Sequence, residues 1–350
     1  MSSDTSLSAA HNLEGITLEN GWKVQEKVRR KPGATGGHFS IGYTVVRDSE
    51  EAFLKALNIL GLVRSGQSLV DVMSEVSSAH KYERDLFLLC KDHSLSKVNT
   101  LLDHGEIRLE GFLFDKVPYL IFEKADDDVR GMMRFSDKID TAWKLKSLHN
   151  VAVGLSQLHK IDVAHQDLKP SNIFVFGTVS KIGDLGRSLS NKIEAPHKDL
   201  DFAGDLDYSP PEVWYRYILP EWNKRVFAID LFLFGSLVAF YFTGLNMSAL
   251  ISKHLDKQFH FSKWDNTSFG EISPYLIEAF DKAVDELYSN INTNELALSV
   301  KELVKMLCYP VPEKRGDPKS LLSNHSPYDL SRIISRLDLL YLKAEYNVLN

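Results

Sequence analysis

The chain has 350 residues, 44% of them hydrophobic and 25% charged, with a formal net charge of −6. This is the composition of a globular chain with ample core, without repeats or low-complexity segments. The acidic balance leaves no broad basic footprint for nucleic acid, and local basic runs such as residues 27–31 are short.

Residues 1–12 are polar and lack an apolar signal core, and residues 1–20 read as a flexible tail. Short strand-like runs follow at Trp22–Val28, Ile41–Val46 and Ala52–Lys55, with a glycine-rich loop at Pro32–Gly37. Ser68–Leu89 reads as a helix with Ser68 at its cap, and Pro118–Phe122 as an apolar strand. Beyond residue 127 the texture is mostly helical. Leu145, Leu148, Val151, Val153, Leu155 and Leu158 lie mostly on one face of residues 143–159. The apolar run Leu231–Gly244 is too short to span a bilayer and reads as a buried helix. Ile333, Ile334, Leu337, Leu340 and Leu342 mark a last helix that packs on the helical part. Cys90 and Cys308 sit in apolar runs without metal-ligand spacing. They read as reduced core thiols and argue for a cytosolic protein.

The chemistry concentrates in Ala164–Asn172. Asp167 suits a group that accepts a proton from an attacking hydroxyl. Lys169 suits neutralisation of a phosphoryl group in flight, and Asn172 can hold a metal through its amide oxygen. Asp184, followed by Gly186, supplies a second hard oxygen ligand for a divalent ion.

These motifs, in this order, resemble those of a eukaryotic-type (Hanks-type) serine/threonine protein kinase over roughly residues 22–320. His165-Gln166-Asp167 through Asn172 resembles the catalytic loop. Asp184-Leu185-Gly186 resembles the metal-binding motif, with leucine in place of phenylalanine, and Tyr208–Glu212 the end of the activation segment. Asp230 and Gly235 match a buried anchoring aspartate and the glycine after it, and Arg315 matches the partner of Glu212.

The resemblance implies an α+β bilobal fold. A small β-rich N-lobe with one main helix would cover residues 21–122, a hinge 123–127, a mostly helical C-lobe 128–328 and a C-terminal helix 329–350. It further implies that Lys55 contacts nucleotide phosphates and pairs with a helix glutamate. Glu83 is favoured over Glu75 for that partner. Phe122 would be the gatekeeper, with backbone groups of Glu123 and Ala125 meeting an adenine edge. Gly36, Gly37 and Phe39 would form the loop over the phosphates. ATP with Mg²⁺, or Mn²⁺ in its place, and a protein substrate follow from the same resemblance. Neither nucleic acid nor membrane is expected as a partner, and the oligomeric state is not evident.

Three departures shape the expectations. The run Gly33–Ser40 does not keep G-x-G-x-x-G; with the insertion before Glu83, it resembles a divergent, bacterial-type branch. Gln166 replaces the arginine that usually reads a phosphate on the activation loop, so activity is expected not to depend on that phosphate. Asp205 stands where serine/threonine members place a threonine; its carboxylate is expected to accept a hydrogen bond from Lys169 and to add negative charge near Asp167. Ser188 and Ser190 are the candidate modification sites. Two other functions fit the residues: a pseudokinase scaffold or switch, and a small-molecule phosphotransferase on the same fold. The intact set Lys55, Asp167, Asn172 and Asp184 favours an active enzyme. The Lys169-Pro170 step and the Glu212 and Arg315 matches favour protein as substrate.

Overall fold

The computed structural model describes residues 8–29, 40–59, 68–112, 114–135, 140–263, 267–291, 294–322 and 326–346. The chain divides into two compact units, residues 1–126 and 127–350. The first is a sheet unit and the second is mostly helical.

The sheet unit is built on β1 (Lys23–Lys27), β2 (Ser40–Arg47), β3 (Glu50–Leu57), β4 (Leu101–Arg108) and β5 (Lys116–Glu123), antiparallel in the order β1-β2-β3-β5-β4. Its single long helix, among the described residues, is α1 (Leu69–Asp92), capped by Ser68 Oγ, which accepts the Asp71 N–H. Strand alternation sorts the residues of β3. Leu54 and Ala56 are fully buried on one face of the sheet with Val24, Tyr43, Val45, Tyr119 and Ile121. Lys55 points to the other face, between Gly42 on β2 and Leu120 on β5.

The apolar face carries a correction to the tail expectation. Ala9, Ala10, Leu13 and Leu18 belong to the same core, all nearly inaccessible. Tyr43 donates its hydroxyl to the Ala10 carbonyl at 2.8 Å, and Ser8 Oγ donates to Asn58 at 2.8 Å. A sheet with only one helix needs cover on its second face, and residues 8–20 provide it. Residues 1–7 lie outside the described residues.

The helical unit opens with β6 (Asp127–Asp128), α2 (Val129–Phe135) and α3 (Thr141–Lys160). The short strands β7 (Val163–Ala164), β8 (Ile173–Phe176), β9 (Val179–Ile182) and β10 (Leu189–Ser190) follow. β8 and β9 form a hairpin bordered by β6, and β10 pairs with β7. Then come α4 (Pro211–Trp214), α5 (Trp222–Thr243), α6 (Met247–His254), α7 (Phe269–Ser289), α8 (Asn294–Leu307), α9 (Pro318–Leu321) and α10 (Ser331–Glu345). α5 is the central helix. By length and composition it could cross a bilayer, but 83% of its most apolar stretch is buried inside this unit. Gly235 lets α8 approach it: a Cβ there would lie 2.4 Å from Cys308 Sγ. α10 lies against α3 and buries Ile333, Leu337 and Leu340.

Both cysteines are free and buried. Burial pushes the Cys90 thiol up to about 12 and the Cys308 thiol up as well, so both are inert hydrophobes.

Candidate active site

The loop from His165 to Asn172 is held by one buried carboxylate. Asp230, on α5, is wholly inaccessible and accepts four hydrogen bonds. They come from the backbone N–H groups of His165 and Gln166, both at 2.8 Å, from His159 Nε2 at 2.8 Å and from Gln166 Nε2 at 3.1 Å. A charge buried this deeply is tolerable only when its lone pairs are filled. Here they are filled by the loop itself, so burial of Asp230 fixes the loop on the helix. The anchoring also holds Gln166 at φ 63°, a left-handed conformation that a side chain seldom adopts.

His165 ties this loop to the next motif. Its Nδ1 accepts the Asp167 N–H at 3.2 Å, which leaves the proton on Nε2 to be donated to the Gly183 carbonyl at 3.0 Å. Gly183 in turn donates its N–H to the Asn172 carbonyl at 2.9 Å, at the open end of the β8–β9 hairpin. Asn172 and Asp184 are therefore brought side by side by local pairing, although the sequence separates them.

Asp167 is the centre of a polar cluster. Its Oδ2 accepts from Asn172 Nδ2 at 3.0 Å and lies 3.2 Å from Lys169 Nζ; its Oδ1 accepts the Asp205 N–H at 2.9 Å. Lys169 Nζ also donates to Asp205 Oδ2 at 3.0 Å, as the sequence suggested. Burial alone would lower the Lys169 pKa, but the two adjacent carboxylates outweigh it and hold the ammonium above its ordinary value.

The residues fit a hard divalent cation. Asn172 spends its amide nitrogen on Asp167, on the backbone carbonyl at 2.8 Å as well as on the carboxylate. Its amide oxygen faces the other way, with only a long 3.4 Å contact from Ser171 Oγ. Asp184 is exposed and held in the left-handed region at φ 57°. One amide oxygen and one carboxylate suit an ion that keeps water and phosphate oxygens as its remaining ligands. Among the described residues, no group of three or more His, Cys, Asp or Glu forms a protein-only metal cage.

In the sheet unit, Lys55 Nζ meets Glu83 at 2.7 Å and 3.0 Å, one contact to each carboxylate oxygen. Glu83 is 7% exposed, whereas Glu75, on the same helix, faces solvent. Burial, helped by Lys55, Arg84 and His104, pushes neighbouring His80 down to about 4, so it stays neutral beside the pair. At the end of β5, Glu123 donates its N–H to the Thr100 carbonyl at 3.2 Å and accepts the Thr100 N–H on its carboxylate at 2.8 Å. Ala125 follows, half-buried, and Phe122 packs edge-on against Phe87 at 4.8 Å. Gly36, Gly37 and Phe39 lie outside the described residues.

The segment from Asp184 to Glu212 is tied down by contacts within itself and to the rest of the helical unit. Ser188 is fully buried, with its hydroxyl on the His165 carbonyl at 3.3 Å, and the buried His197 bonds the Ser188 carbonyl through Nε2 at 3.0 Å. This corrects the choice of Ser188 as a modification site, because its hydroxyl is enclosed. Ser190 Oγ accepts the Lys192 N–H at 3.0 Å. Gly204 passes so close to the His165–Asn172 loop that a Cβ would lie 2.1 Å from the Gln166 carbonyl. The segment ends at Glu212, which Arg315 grips in two parallel bonds of 2.7 Å and 2.9 Å. Arg315 is fully buried and also bonds the Ala228 and Tyr309 carbonyls, which satisfies its charge. His159 and the inward turn of Gln166 carry no signal in the sequence, because each acts through a partner that is distant along the chain; His197 reaches Ser188 within an irregular segment that shows no period.

A β-sheet unit that carries the partly buried Lys55–Glu83 pair, joined to a helical unit with this loop, has the architecture of a bilobal kinase. The profile of the protein kinase domain matches residues 95–326, and the chain belongs to the protein kinase family, of the eukaryotic type. The match begins after Lys55 and Glu83, so their pairing is an independent observation. The chain is 30% identical over 145 residues to an Aurora kinase from Debaryomyces hansenii, covering 40% of this chain and 34% of the relative. It is 29% identical over 180 residues to mitogen-activated protein kinase 4 from Rattus norvegicus, covering 49% and 64%. Serine/threonine-protein kinase SSN3 from Candida albicans is 31% identical over 159 residues, covering 43% and 24%. The chain thus spans between about a quarter and two thirds of the length of these relatives.

Proposed function

We propose that the chain is an ATP-dependent kinase of protein serine and threonine hydroxyls that works with Mg²⁺ and needs no phosphate on its activation segment. The observation that carries this reading is the Asp167 carboxylate, buried and gripped by Asn172, Lys169 and the Asp205 N–H. Bound ATP and metal supply the transferable phosphoryl group and spread its charge. Asp167 aligns the acceptor hydroxyl and takes its proton as the new bond forms. Lys169, kept cationic by its neighbours, stabilises negative charge on the transferring group. Asn172 and Asp184 would hold the metal, and Lys55, steadied by Glu83, the nucleotide phosphates. Glu123 and Ala125 would offer backbone groups to the adenine. The work of the protein is positioning and electrostatics.

Lysine two residues after Asp167 supports serine/threonine preference, as do the names of the relatives. Independence from activation-loop phosphorylation is supported by Gln166, whose side chain is neutral and bonded inward. The test is transfer from labelled ATP with Mg²⁺ to serine and tyrosine peptides, beside Asp167→Ala. Label on serine that falls by about 10²–10⁴-fold in the variant is expected. Nucleotide binding without any transfer would instead identify a pseudokinase.

A further inference from the structure

Asp205 sits in the catalytic cluster with three connections. Its N–H bonds Asp167 at 2.9 Å, its Oδ2 accepts from Lys169 at 3.0 Å, and its Oδ1 accepts the Asp207 N–H at 3.1 Å. A hydroxyl at this position could accept from Lys169, and the backbone bond to Asp167 needs no particular side chain. What a carboxylate alone adds is charge. One ammonium is then shared by two carboxylates, Asp167 and Asp205, and the cluster carries an excess negative charge. Lys169 has less of its field to offer a developing phosphoryl charge while Asp205 holds it.

The three side chains are not equally reachable. Asp167 is 9% exposed, Lys169 14% and Asp205 26%, so Asp205 is the member that an incoming side chain can touch. A cation there would neutralise Asp205 and free Lys169, whereas an anion would meet like charge.

We propose that Asp205 determines substrate choice, favouring acceptor hydroxyls flanked by lysine or arginine over those flanked by glutamate or aspartate. This rests on the reading of Asp167 and Lys169 as the transfer site. Asp205 acts through its charge on Lys169 and on the flanking residue, and it takes no part in bond making.

The test compares the full chain with Asp205→Asn and Asp205→Thr, all confirmed folded by thermal melting. The probes are degenerate serine peptides with lysine, alanine or glutamate fixed on either side of the serine. In the wild type the lysine-to-glutamate ratio of kcat/KM is expected to exceed that of both variants by about ten-fold or more at low salt, since a full charge acts within a half-buried site. The variants should gain on alanine and glutamate peptides. An unchanged ratio, or an equal loss on all three peptides, overturns the proposal and leaves Asp205 a structural cap. Transfer to none of the peptides by the wild type overturns the reading of the site and this proposal together, so the two failures are distinguishable. Should the Asn variant not fold, the Thr variant decides.

Discussion

Gln166 and Asp230 are bonded both through backbone and through side chain: the Gln166 amide nitrogen lies 3.1 Å from the same carboxylate oxygen that its own N–H reaches at 2.8 Å. The amide nitrogen also donates to the Val226 carbonyl at 2.9 Å, and the residue is 1% exposed. A side chain enclosed in this way has no donors to offer a phosphate on the activation segment. The segment is held instead by Lys169–Asp205, His197–Ser188 and Glu212–Arg315. Phosphatase treatment should therefore leave the peptide-phosphorylation rate of the purified protein within about two-fold of the untreated rate, because no charge-assisted bond is lost. A drop of ten-fold or more would sink this account.

The Lys55–Glu83 pair predicts an asymmetry between two glutamates of α1. Glu83→Ala removes the carboxylate that orients Lys55 and should lower kcat/KM for ATP by about 10²–10³-fold, the scale for loss of a preorganised electrostatic contact. Glu75 is solvent-facing, and Glu75→Ala should behave as wild type. Steady-state kinetics on both variants decides it; equal effects would mean that the pair does not serve nucleotide binding.

The clustering of the candidate residues is legible in the sequence because they lie within a few residues of one another or in a local pattern. Asp167, Lys169 and Asn172 lie within six residues, and the helix sequence around Glu83 singles it out. The β8–β9 hairpin leaves no signal in the sequence, because four residues such as Ile173-Phe174-Val175-Phe176 are too few to show a period. β4 shows no apolar alternation, because Asp103, His104, Gly105 and Glu106 interrupt it, and pairing with β5 holds it in the sheet. Loss of the arginine at Gln166 was visible, but the inward turn of the glutamine was not. That turn depends on Asp230 and Val226, some sixty residues on. Residues 8–20 read as a tail because Ala9, Ala10 and Leu13 keep helical spacing for barely one turn, and only the face of the sheet gives them and Leu18 a place.

That packing makes Leu13 a test of the N-terminal segment. Its side chain is fully buried against the sheet core, so Leu13→Ala should cost about 2–5 kcal/mol through lost transfer energy and the cavity left behind. Val70 is 74% exposed on α1, and Val70→Ala should stay within about 0.5 kcal/mol. Urea unfolding of both variants separates the cases. A Leu13 variant as stable as the Val70 control would restore the view of this segment as a tail.

His80 predicts a pH dependence of stability with a definite sign. Burial first, and then the positive charges of Lys55, Arg84 and His104, lower its pKa from 6.5 to about 4 in the folded chain. The unfolded chain keeps the ordinary value, so between these two limits it binds a proton that the folded chain does not. By linkage, stability from this residue is complete above about pH 6.5 and drains away as pH falls towards about 4. The loss amounts to at most about 3 kcal/mol, at 1.36 kcal/mol for each pKa unit. His80→Gln has nothing to titrate and should lose that share of the slope. Unfolding free energies of the two proteins, measured at pH ~7 and ~4.5, should therefore converge at the acid end by about 2–3 kcal/mol relative to neutral pH. Parallel pH profiles would show that His80 titrates alike in the folded and unfolded chains, against the enclosed position beside Lys55.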